Sequence, residues 1–165
     1  MKEKILGYQI QAESLETFTN KLHQHVFCDE VPPVPKCWLA CMNPHSYAVA
    51  KDDAEFANAL QNAEWLVPDG AGVLLASRLL GGHIRERITG FDVFIRMLER
   101  MNRCGGYRVF FLGATEDTLA SIRIRMGYDF PNVRVAGSYA PPFKSVWTAE
   151  EVDTMVNAIN SAQAD

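Results

Sequence analysis

The 165-residue sequence predicts an α/β protein: a Rossmann-like, doubly wound, mainly parallel sheet with helices on both faces. Three observations predict it. Short apolar runs of strand length alternate with stretches of helical period along the chain. Right-handed crossovers would set such strands side by side in parallel. The composition, 48% hydrophobic and 22% charged, is that of an ordinary globular domain, and a chain of this length buries roughly 70% of its unfolded surface around one core. A single domain over residues 1–165 is therefore expected.

Each element has its own signature. KILGYQIQ (4–11) reads as a strand. Ser14 suits the N-cap of a helix from Leu15 to about Phe27, with Leu15, Phe18, Leu22 and Val26 on one face. DEVPPVPK (29–36) is a proline-rich loop that neither a helix nor an inner strand accommodates. CWLACMN (37–43) reads as a buried strand, residues 45–63 as one helix, and EWLVPDG (64–70) as the next strand. AGVLLASRLLGG (71–82) is a helix stopped by paired glycines. HIRERITGFD (83–92) is a polar connection into a helix over 93–104, and Gly105-Gly106 breaks it before the strand YRVFFLGA (107–114). Residues 115–126 are helical by period, NVRVAGSYA (132–140) is a strand, and PPFKSVW (141–147) is a loop. Thr148 and Glu151 form a capping box for a closing helix over 148–163.

Composition narrows the function classes. A net charge of −4 without a basic block argues against nucleic acid as a partner. The four cysteines, Cys28, Cys37, Cys41 and Cys104, form no C-x-x-C pair and have no zinc-finger spacing. Cys37 and Cys41 would lie roughly 13 Å apart along a strand, too far for a bridge, so reduced thiols in a cytoplasmic protein are expected. The N-terminal residues lack the apolar centre of a signal peptide, and no run approaches the ~20 apolar residues of a membrane span.

In open α/β sheets, ligands bind beyond the carboxyl ends of the strands. That rule selects three corners: Cys41-Met42-Asn43, Pro68-Asp69-Gly70 and Gly113-Ala114-Thr115. Asp69 precedes a helix, where the dipole favours an anion. It reads either as a cap on the amides of Gly70 to Val73 or as a base that takes a hydroxyl proton. Asn43, ahead of Pro44, reads either as an Asx-turn or as a donor–acceptor pair for a sugar hydroxyl. Cys41 reads as a small core residue. His45 lies close enough in sequence to the Asn43 corner to touch a ligand. In RERITGFD, Arg85, Glu86, Arg87, Thr89 and Asp92 form either a solvated loop or a cationic cradle for a diphosphate. Gly113 to Thr115 opens a helix after a strand, a place that favours phosphate, yet it lacks the G-x-G-x-x-G fingerprint. Asp52 and Asp53 read as a solvated helix face.

The ordered set CMNPHSY, DAEFANALQNAEWLVPDGAGVLLASRLLGG, ERITGFD, RVFFLGATEDTLASI and NVRVAGSYAPPF resembles the WecG/TagA/CpsF glycosyltransferases of bacterial cell-surface polysaccharide synthesis. The resemblance covers about residues 4–165. It implies inverting transfer of N-acetylmannosamine, its uronic acid or glucose from a UDP-sugar to a polyprenyl-diphosphate-linked saccharide. It places the general base on Asp69, an active-site arginine on Arg87, and a sugar-contacting pair on Cys41 and Asn43. His45, Gly70, Thr89, Asp92, Gly113, Thr115 and Tyr139 complete the expected substrate-binding set. No cofactor is expected and, without a D-x-D motif, no obligatory divalent metal.

Two departures stand out. Cys41 occupies a position where the family commonly has threonine. The family also continues with a further strand, a P-K-Q-E-like motif and a basic appendage associated with docking at the inner face of the plasma membrane. The expectation is a C-terminally shortened member, peripheral to the membrane in its full-length form. Rival readings are a catalytically incompetent nucleotide-sugar-binding fragment, a nicotinamide-dependent enzyme, and a homo-oligomer assembled through an unpaired sheet edge.

Overall fold

A computed structural model describes residues 1–27 and 38–165. The proline-rich segment at 29–36, Cys28 and Cys37 lie outside the described residues. The chain forms two compact units, Met1–Met97 and Leu98–Asp165.

The first unit opens with an antiparallel hairpin of β1 (Lys2–Ile5) and β2 (Tyr8–Gln11), paired Lys2 to Gln11 and Ile5 to Tyr8. This corrects the single strand expected over 4–11. Leu6 and Gly7 both have positive φ, 48° and 94°, the geometry of a two-residue hairpin turn whose twist matches that of the strands. Helix α1 (Leu15–Phe27) follows the expected boundaries, and Ser14 Oγ accepts from the Thr17 amide at 3.3 Å. Strands β3 (Leu39–Met42) and β4 (Trp65–Pro68) pair in parallel, with Cys41 opposite Val67 and Met42 opposite Pro68.

Between those strands the chain makes two helices, α2 (Pro44–Asp52) and α3 (Ala54–Gln61), where the sequence predicts one. The break is at Asp53, whose backbone is extended (φ −122°, ψ 101°) and whose carboxylate accepts from the Phe56 amide at 2.9 Å. Asp53 is therefore the N-cap of α3, a role for which aspartate is favoured. It does not belong to a continuous solvated face. Helix α4 (Ala71–Leu79) ends ahead of Gly81, which has φ +75°.

The connection after α4 is less polar than its sequence suggests. Ile84 and Ile88 are among the most buried side chains, and the Ile88 amide donates to Pro68 O at 2.9 Å, so this segment runs along the outer edge of β4. Helix α5 (Gly90–Cys104) begins three residues earlier than expected, because Thr89 and Asp92 cap each other.

Alternation along β4 divides the core of this unit. Leu66 joins Met42, Val73, Ile84 and the hairpin residues Ile5, Tyr8 and Ile10. Val67 joins Phe18 and Leu22 of α1, Ile88, and Val93 of α5. Helices thus cover both faces of the parallel pair, which is the Rossmann-like α/β arrangement.

In the second unit, β5 (Arg108–Leu112) and β6 (Arg134–Tyr139) pair in parallel with an irregularity between Val109 and Phe110. Helix α6 (Glu116–Asp129) connects them and α7 (Ala149–Ala162) follows. The Thr148–Glu151 capping box forms as expected. The expected sheet is present as two parallel ladders plus the antiparallel hairpin.

Candidate functional site: the strand tips around Asp69

The carboxyl ends of β3 and β4 are tied together by the Asp69 amide, which donates to Met42 O at 2.8 Å. One residue further on, Gly70 adopts φ 106° and ψ 148°, a conformation essentially confined to glycine. This bend turns β4 into α4. Gly70 is the N-cap of that helix and supplies no side-chain bond. Asp69 does not supply one either: among the described residues, nothing hydrogen-bonds to its half-buried carboxylate. The capping alternative for Asp69 is therefore not the one the fold uses.

Asn43 shows the opposite behaviour. Its Oδ1 accepts from the Ser46 amide, and Ser46 Oγ accepts from the Asn43 amide, both at 2.8 Å. This reciprocal cap starts α2, with Pro44 in the first helical position, where its missing N–H costs nothing. The Asn43 side-chain amide nitrogen makes no hydrogen bond among the described residues. His45 is exposed in the same turn.

The starts of α2 and α4 are in contact. A Cβ placed on Gly72 would stand 2.5 Å from Pro44 Cγ, and one on Gly70 would stand 3.6–3.7 Å from Pro44 Cδ and Asn43 Cβ. A third helix begins nearby. A Cβ on Gly90, the first residue of α5, would meet Cys41 Sγ at 3.2 Å, and the Gly90 amide donates to that sulfur. Burial pushes the Cys41 thiol pKa up, the charge of Asp69 pushes it further, and the Gly90 amide opposes both. Cys41 is thus a protonated thiol beside Asp69. The N-termini of α2, α4 and α5 all lie around these two strand tips, and the positive ends of their dipoles favour negative charge there.

Arg87 is exposed on the connection that flanks β4, and among the described residues it makes no hydrogen bond or ion pair. Its charge acts on Asp92. Thr89 and Asp92 are engaged with each other: the Asp92 carboxylate accepts from Thr89 N at 2.9 Å and Thr89 Oγ1 at 2.7 Å. Those bonds hold the Asp92 pKa below the ordinary carboxylate range. In this structure both side chains serve the start of α5.

The remaining residues of the expected set belong to the second unit. Gly113 (φ 120°) and Ala114 (φ 61°) turn β5 into α6, and the Gly113 amide donates to Tyr139 O at 3.0 Å. Thr115 is the N-cap of α6 and accepts from the Thr118 amide at 3.3 Å. These three residues therefore share one strand-tip corner, while Cys41, Asn43, His45, Asp69, Gly70, Arg87, Thr89 and Asp92 lie in the first unit. Sequence reasoning missed Ser46, Gly72 and Gly90. The signal for Ser46 was its position three residues after Asn43. The two glycines become legible only through their contacts with Pro44 and Cys41.

A carboxylate with no hydrogen bond among the described residues thus stands where three helices begin, at the tips of parallel strands, the place where open α/β sheets bind ligands. Comparison with known proteins makes this specific. The chain belongs to the Glycosyl transferase WecG/TagA/CpsF family, whose model matches residues 3–165. It is 28% identical over 124 residues to an N-acetylglucosaminyldiphosphoundecaprenol N-acetyl-β-D-mannosaminyltransferase of Bacillus subtilis (strain 168), covering 75% of this chain and 46% of the relative. It is 32% identical over 100 residues to the protein of that description from Bacillus spizizenii, covering 61% of this chain and 38% of the relative. A Staphylococcus aureus protein of the same description is 25% identical over 99 residues, 60% of this chain and 39% of its own length. The chain spans less than half the length of these relatives.

Proposed function

We propose that this chain carries the base-bearing part of an inverting glycosyltransferase. The reaction moves a hexose or N-acetylhexosamine, of the N-acetylmannosamine type, from a UDP-sugar to a polyprenyl-diphosphate-linked saccharide in cell-surface polysaccharide synthesis. The observation that carries the reading is the Asp69 carboxylate: half-buried at a strand tip, beside a helix start, and engaged in no cap. The family and the activities for which the relatives are named support the reaction class.

In one in-line displacement, the acceptor hydroxyl gives its proton to the Asp69 carboxylate as its oxygen bonds to the anomeric carbon. The bond from that carbon to the UDP oxygen breaks on the opposite side, and UDP leaves with the electron pair. Asn43 orients a sugar hydroxyl through its free amide nitrogen. Arg87 stabilises the departing diphosphate, and in the second unit the amide donors at Gly113 to Thr115 form a phosphate-favouring corner of their own. Among the described residues no helix is long and apolar enough to cross a membrane. The polyprenyl tail of the acceptor partitions into a bilayer, so transfer takes place at a membrane surface.

Asp69→Asn keeps shape and removes basicity. In a full-length context it should reduce transfer by ~10²–10⁴-fold while leaving UDP affinity essentially unchanged. Turnover within about threefold of the parent protein, far short of that range, would remove Asp69 as the base. Arg87→Ala should weaken UDP binding in calorimetry by roughly tenfold or more, as loss of a charged hydrogen bond does; unchanged affinity would exclude Arg87 from the leaving-group role.

A further inference from the structure

An apolar cleft of about 140 Å³ opens beside the Asp69 corner. Its inner wall is Ile5, Tyr8 and Ile10 of the hairpin with Val73 of α4; Tyr47 and Ala76 flank it. One end is formed by Asn43, Pro44 and Gly72, the residues that bring the starts of α2 and α4 together, so the cleft is continuous with the proposed sugar site. Exposed apolar side chains stand on and near its lining elements. Leu6 at the hairpin tip lines the cleft and is 55% exposed. Leu79 and Leu80 follow Ala76 by three and four residues, on the same side of the helix, and are 78% and 63% exposed.

We propose that this cleft holds the first isoprene unit of the lipid-linked acceptor, with Leu6, Leu79 and Leu80 guiding the rest of the chain toward the bilayer. The proposal rests on the transferase reading above and assigns residues to its acceptor. Volume supports it: a dry apolar cavity of ~150 Å³ takes one benzene-sized guest, so this one suits a single branched five-carbon unit. Position supports it as well. Ala76 stands six residues beyond Gly70, roughly 9 Å of helical rise, and a pyranose with its diphosphate can bridge that gap. The ligand's polarity has the same order as the site: hydroxyl at Asp69, diphosphate near helix starts that favour anions, hydrocarbon against an apolar wall.

The test compares farnesyl diphosphate with inorganic diphosphate by titration calorimetry on the full chain. Farnesyl diphosphate should bind roughly tenfold tighter or more, because burying several methylene-sized groups contributes that much. Ala76→Phe fills the cleft and should abolish the preference while leaving inorganic diphosphate affinity unchanged. Leu6→Asn retains a residue suited to a positive φ, so the hairpin persists, and should reduce the preference even if the first variant misfolds. Equal affinity for the two probes, or a preference indifferent to both variants, overturns the proposal. Titration of UDP-N-acetylmannosamine on the same samples separates the two readings. Donor binding without a farnesyl preference sinks the cleft alone; a farnesyl preference that responds to the variants, without donor binding, supports the cleft and counts against the transferase.

Discussion

At the residue scale, Asp69 and Asn43 divide two tasks that look interchangeable in sequence. Both are short polar side chains between a strand and a helix, the commonest location for an N-cap. Asn43 caps and Asp69 does not, because the N-cap position of α4 falls on Gly70, one residue beyond the carboxylate. Asn43→Asp separates capping from ligand contact. It keeps the acceptor for the Ser46 amide and places an anion at a helix start, so the urea midpoint should stay level or rise by a few tenths of a kcal/mol in free energy. It removes the amide donor, so affinity for a UDP-sugar should fall about tenfold or more. Unchanged calorimetric affinity would make Asn43 a cap and nothing else.

At the element scale, the segment carrying Arg87 is held by Glu3 of β1. The Glu3 carboxylate accepts from Ser77 Oγ at 2.8 Å, from Ile84 N at 3.1 Å and from the His83 amide. A Cβ on Gly82 would displace this carboxylate, so the glycine leaves room for it. Burial pushes the Glu3 pKa up, but these hydrogen bonds outweigh it and leave the pKa below the ordinary glutamate value. The unfolded chain therefore binds the proton more tightly. The stabilisation is complete above the unfolded pKa, about 4.3, and disappears as pH falls through the folded one. Glu3→Gln should lower stability at pH 7 by on the order of 1–2 kcal/mol. It should also flatten the loss of stability between about pH 5 and pH 3, as read by urea unfolding at each pH. A pH profile identical to that of the parent chain would show that Glu3 is not the strap.

At the scale of the whole molecule, the sequence conveys the alternation of strands and helices well, because each buried element carries its own period. Helix α1 and its Leu15, Phe18, Leu22, Val26 face, and the Thr148–Glu151 cap, were legible to the residue. Departures occurred where a local choice overrode periodicity. Leu6-Gly7 folds one apparent strand into a hairpin, and Asp53 interrupts a continuous helical pattern by capping a new helix. At the site, residue types named the candidates, but their engagement depends on three-dimensional contacts. Thr89 and Asp92 satisfy each other, Thr115 caps α6, and Asp69 alone among these capping-type side chains makes no hydrogen bond among the described residues. The apolar cleft was not legible, because its walls come from the hairpin, α2 and α4, far apart in sequence.

The Gly72–Pro44 approach means that the two strand-tip helices interlock like a dovetail, and neither half can be recut alone. Gly72→Ala drives a methyl into the proline ring and should cost about 1–3 kcal/mol. Pro44→Ala removes the ring atom it strikes, so the double variant should recover much of that loss, a coupling of about 0.5–3 kcal/mol in a double-mutant cycle of urea midpoints. Strictly additive losses would mean the joint has play in it. If it is tight, the rim reaches its ligand already assembled, and only paired changes can retune the opening.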